Sequence, residues 1–128
     1  MSTNPIKAYE QVNKSTVSGR ELEASVLMRA AALLKQCQDN WESDGRRAAL
    51  QHALEFNQRA WSIFQAELAK PDHPLPAEMR QNLLRLSLFI DKQIFQAMAS
   101  PAPDKLTAII NINCNLAAGL RGSANGEA

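Results

Sequence analysis

A chain of 128 residues, 45% hydrophobic and with a formal net charge of +1, is sized for one domain around one core. Charges of both signs are interspersed, which argues against the basic stripe that nucleic-acid or membrane-surface binding requires. No charge-free apolar run reaches about 18 residues, so no membrane span is expected. MSTNPIKAYEQ lacks the apolar core of a signal peptide and the two Cys lie far apart, so the expectation is a cytoplasmic protein with reduced thiols.

In chain order, 1–4 should fray, and Pro5 suits a first helical turn because its missing N–H has no partner there anyway. Ile6, Tyr9 and Val12 give a weak apolar edge to about Asn13. That predicts a short N-terminal helix or arm, either latched on the domain through Tyr9 or reaching a partner. Ser18-Gly19-Arg20-Glu21 has the capping-box pattern and predicts a helix from about Arg20 to Trp41. Its core face would be Leu22, Val26, Leu27, Ala30, Leu33, Leu34, Cys37 and Trp41, with Met28 on the opposite, polar side.

A polar turn around Gly45 leads into a helix from about Arg46 to Lys70. Leu50, Ala53, Leu54, Ala60, Trp61, Phe64 and Leu68 share its main face, with Asn57 in the middle; Phe56 and Ile63 form a second, narrower stripe. Pro71, Pro74 and Pro76 make a rigid connector. The next helix, Pro76–Ala99, has Met79, Leu83, Leu86, Ile90 and Ile94 on one stripe and Leu84, Leu88 and Phe95 elsewhere around the cylinder. A helix apolar on most faces is normally buried among others, so it is expected to be the central helix. Pro101 and Pro103 break the chain again. The last helix is expected over about Asp104–Ala118, with Leu106, Ile109, Ile110, Leu116, Ala117 and Leu120 on its core face, Asn113 at the centre of that face and Gly119 as the C-terminal cap. The small, polar segment 121–128 should be disordered. The expected fold is an all-α, single-domain bundle of four main helices with antiparallel neighbours.

The catalytic inventory is thin. His52 and Glu55 read as a solvated helix pair, Ser62 and Ser87 have no evident base, and Cys37 and Cys114 have no CxxC partner. His73 has no second ligand at metal spacing, and no Gly-rich phosphate loop occurs. The expectation is therefore a non-enzyme with no metal and no cofactor. Asn57 and Asn113 each sit on an apolar face, where an amide must find partners; bonding each other or a neighbouring backbone would set the register of the bundle, while the alternative is a bond to a bound peptide. Tyr9, Met28, Phe56, Ile63, Leu88 and Ile112 escape the main core faces and are the candidate partner-binding surface, unless they meet neighbouring helices.

Three motifs, NQRAWSIF at 57–64, LPAEMRQNLLRLSLFID at 75–91 and IININCNLAAGL at 109–120, resemble in order and spacing those of the FlaF family, flagellar biosynthesis regulators of alphaproteobacteria. The resemblance runs from about Tyr9 to Leu120 and includes no catalytic residue or metal ligand. It implies a role in flagellum assembly: a cytoplasmic chaperone that sheathes an amphipathic terminal helix of flagellin and supports its production and export. It also implies a link to FlbT, and the alternative is a post-transcriptional regulator acting with FlbT on flagellin mRNA. Only Arg46-Arg47, Arg80 and Arg85 would serve direct RNA contact, with no interleaved stacking aromatics. A self-assembling bundle is a third class. Cys114 stands where the family pattern suggests a polar or basic residue.

Overall fold

The computed structural model describes the backbone of residues 5–124 and the side chains of residues 19–122. It is all-α. Helix α1 spans Pro5–Asp39, α2 Arg46–Leu68, α3 Ala77–Ala99 and α4 Thr107–Ala124, with a 3-10 turn at Pro103–Leu106 before α4.

The boundaries follow the prolines. None of the six lies between Pro5 and Pro71, so nothing forces the backbone out of helix before the turn at residues 40–45. Consequently α1 is one helix from Pro5 onward rather than an arm followed by a helix at Arg20. A single interior glycine, Gly19, costs about 1 kcal/mol against Ala and does not break it. Glu21, assigned by its spacing to a capping box, instead forms an ion pair with Arg121 of α4 at 3.1 Å. Arg121 lies within the last turns of α4, which pass Gly119 and end at Ala124. Gly119 is therefore an interior residue and not a cap, and 121–124 is helical. At the other end of α4, Gln38 of α1 donates to the Pro103 carbonyl at 2.9 Å and to Thr107 Oγ1 at 3.0 Å, which ties the 3-10 turn to α1.

α1 packs along α4 on one side and α2 on the other. α3 packs against α2, touches the 3-10 turn and α4, and, among the described residues, makes no close backbone approach to α1. It is thus an edge helix, contrary to the central place its composition suggests. Its fully buried residues, Ser87, Ile90, Ile94 and Ala97, lie from its middle to its C-terminal end. Met79, Leu88, Phe89, Phe95 and Met98 are exposed. Breadth of apolar surface shows that a helix needs cover on several sides; it does not show that the same chain supplies all of it. The core runs through Leu27, Leu34, Leu54, Trp61, Ile90, Ile94, Leu106 and Ile109, each under 2% exposed. Leu22, expected inside, is 66% exposed, while Ala24 and Ala31 are buried. Small side chains on that flank of α1 allow the close approach of its neighbours. No helix among the described residues is long and apolar enough to cross a membrane.

Candidate functional site

The gap between α1 and the first half of α3 is a groove of about 570 Å³. Trp61, Phe64 and Leu68 of α2 line it, with Leu75 from the connector and Met79 and Leu83 of α3. α4 adds Leu116 and Leu120. Gly19 of α1 and Gly119 of α4 also border it, and a Cβ built at either meets nothing within 4 Å. Gly19 and Gly119 carry no side chain to fill the groove and leave its sides open.

Its polar groups are few. Glu23 of α1 and Glu67 of α2 both line it, beside Arg20 and His73. Burial in this apolar setting pushes the Glu23 carboxyl above its ordinary range, and the nearby Glu67 carboxylate pushes it further; His73 and Arg20 oppose the shift. Glu67 is bound by Lys70 at 2.9 Å. His73 accepts the Leu75 backbone N–H on Nδ1 at 3.2 Å, which shapes the connector at the groove's edge.

Trp61 belongs both to the groove and to a buried polar relay. Its indole N–H donates to Asn113 Oδ1 at 2.9 Å. Asn113 Nδ2 donates to Asn57 Oδ1 at 2.7 Å. Asn57 Nδ2 donates to the carbonyls of Ala30 at 3.1 Å and Ala53 at 2.8 Å. The relay joins α1, α2 and α4 at one level and leaves the Trp61 ring no freedom to rotate. Phe64 meets that ring edge-on, with centroids 5.9 Å apart.

Of the candidate partner-binding residues, none whose side chain is described lines the groove. Met28 is 37% exposed, Ile63 64% and Leu88 65%. Phe56 is half-buried under the Arg29 guanidinium, 5.8 Å from its ring centroid. Ile112 packs against the core. Tyr9 lies outside the residues whose side chains are described. Trp61 was read as core alone, yet a tryptophan one turn after Asn57 on the same face was the available signal for a polar partner.

The family described as flagellar protein FlaF matches residues 5–120. The chain belongs to the FlaF family. This FlaF chain is accordingly a flagellar protein, and the matched span contains the whole relay and every residue that lines the groove. No curated protein and no solved structure matches it.

Proposed function

We propose that this FlaF protein is a cytoplasmic flagellin chaperone: its groove holds the apolar face of an amphipathic terminal helix of flagellin and supports flagellin production and export. The observation that carries the reading is the groove itself, apolar on several sides, open, and floored by a tryptophan already fixed by hydrogen bonds. A preformed apolar groove takes a helix by its i, i+3, i+4 and i+7 side chains, with little ordering cost on the receptor side. Such a helix left uncovered in the cytoplasm would aggregate or polymerise.

Direct action on mRNA is supported less. Of the basic residues available for it, Arg46 stacks over Trp41 at 4.3 Å, Arg80 donates to the Lys70 carbonyl at 2.8 Å and Arg85 donates to Asn82 at 3.3 Å. A link to FlbT is compatible with the chaperone reading, since a chaperone that releases its client can report flagellin level to a second protein.

Titration calorimetry against monomeric flagellin, full-length and lacking either terminal helix, tests the proposal. Saturable binding is expected, with a negative heat-capacity change and loss on one deletion only. Gly119→Trp, which fills the groove from α4, should abolish it with the fold retained. Absence of binding by any flagellin form, or undiminished binding by Gly119→Trp, refutes the proposal.

A further inference from the structure

One flank of α3, beside α2, carries a second apolar surface, separate from the groove; Leu84 is half-buried there and Leu88, Phe95 and Met98 are exposed. Leu84, Leu88, Phe95 and Met98 follow one another at steps of four, seven and three residues, with Asp91 filling the position between. This is the 3-4 spacing of a helix-pairing seam. It spans about four turns, roughly 22 Å. It lies about a third of a turn around the cylinder from Ile90 and Ile94, the residues α3 buries. Leu88 is 65% exposed and Phe95 70%. The seam shares no residue with the groove, which takes Met79 and Leu83 from α3.

The charges around the seam select its occupant. Exposed Arg85 and Lys92 run along one flank, seven residues apart. Asp91 at its centre is fixed from α2, accepting from Gln65 Nε2 at 2.8 Å. A second copy fits poorly in either direction. In an antiparallel pair like flanks meet, so Arg85 of one copy would approach Lys92 of the other; in a parallel pair the two Asp91 carboxylates would face each other inside the seam.

We propose that the Leu84–Leu88–Phe95–Met98 seam is a second docking surface, which takes an amphipathic helix of another protein, about four turns long, with acidic residues flanking its apolar stripe. The surface is independent of the chaperone reading and stands whether or not the groove holds flagellin. With both surfaces on one chain, two partners bind at once without competing.

The full-length chain is titrated by calorimetry with two synthetic helical peptides of identical apolar stripe, one with Glu and one with Lys at the flanking positions, and is sedimented alone. The Glu peptide is expected to bind at least about ten times more tightly than the Lys peptide. Arg85→Glu with Lys92→Glu should reverse that order. Leu88→Ser and Phe95→Ser, at exposed positions, should each weaken the Glu peptide about tenfold while leaving the thermal midpoint and any flagellin binding unchanged. Four outcomes overturn the proposal: no binding of the Glu peptide, equal affinity for both peptides, loss of Glu-peptide binding in Gly119→Trp but not in Phe95→Ser, or a dimer of the chain that Phe95→Ser dissolves.

Discussion

Asn113 donates a side-chain N–H to the side-chain oxygen of Asn57 at 2.7 Å, and both residues are wholly buried. Asn57 has every side-chain hydrogen-bonding group in use, because its two N–H groups go to the Ala30 and Ala53 carbonyls. Those bonds exist only when α1, α2 and α4 stand at one particular register. Sliding any helix by a residue would strand buried amides, and each stranded group costs about 1–3 kcal/mol.

Asn57→Leu should therefore lower the unfolding free energy by about 2–4 kcal/mol in urea denaturation, since it leaves the Asn113 side-chain N–H without its acceptor and sets an apolar side chain against the Ala30 and Ala53 carbonyls, which keep only their helical bonds. Asn113→Leu should cost a similar amount, because Trp61 then loses its acceptor. The double variant should show a coupling of at least about 0.5 kcal/mol, as groups in one network do not behave additively. A folded Asn57→Leu protein of unchanged stability that no longer bound flagellin would move the role of Asn57 from architecture to client recognition.

Trp61→Phe keeps an aromatic ring at the groove but removes the indole N–H together with the five-membered ring that carries it, which leaves a cavity at a buried site. A stability loss of about 1–3 kcal/mol follows from the orphaned Asn113 oxygen. Urea denaturation measures the loss, and an unchanged midpoint would mean that Trp61 and Asn113 do not bond in solution.

Gly119→Ala should stabilise the protein by about 0.5–1 kcal/mol, since Gly119 sits within α4 and an added Cβ meets nothing. A thermal melt measures it directly. A destabilised Gly119→Ala variant would mean that α4 does not continue past this residue.

The raised Glu23 carboxyl gives a pH signature with a defined sign. The folded state holds the proton more tightly than the unfolded chain, so stability falls as pH rises from the ordinary glutamate pKa through the raised folded value, and the penalty persists above it. Glu23→Gln should remove that slope. The difference in unfolding free energy, wild type minus variant, should decline as pH rises above the ordinary glutamate pKa and then level off; a difference that grows with pH would contradict it.

Burial also raises the Cys37 thiol, against the opposing pull of Arg46. In a Cys114→Ser background, alkylation of Cys37 at neutral pH should proceed at least about ten times more slowly in the native protein than in urea. Equal rates would place the turn after α1 in exchange with an open form.

Much of this architecture was legible in the residues themselves. Prolines at 5, 71, 76, 101 and 103 mark the limits of the helices, because a ring without an N–H is admitted only at a helix start or outside it. The 3.6-residue spacing of Leu50, Leu54, Trp61 and Leu68 on α2, and of Leu106, Ile109 and Ala117 across the 3-10 turn and α4, named the buried faces, and all seven are buried. The FlaF motifs carried the family. Periodicity is a local property, however, and says only which side of a helix seeks cover. It could not tell that Glu21 would bond Arg121 a hundred residues away, or that Trp61 would donate its N–H to Asn113, which in turn bonds Asn57. Nor could it place α3 at the edge of the bundle, where the same apolar breadth that suggests a central helix leaves a groove on one side and an uncovered seam on the other. Those outcomes depend on which helices approach closely, and that is decided by packing across the whole chain: small residues on α1 bring α2 and α4 in, and little room beside α1 is left for α3.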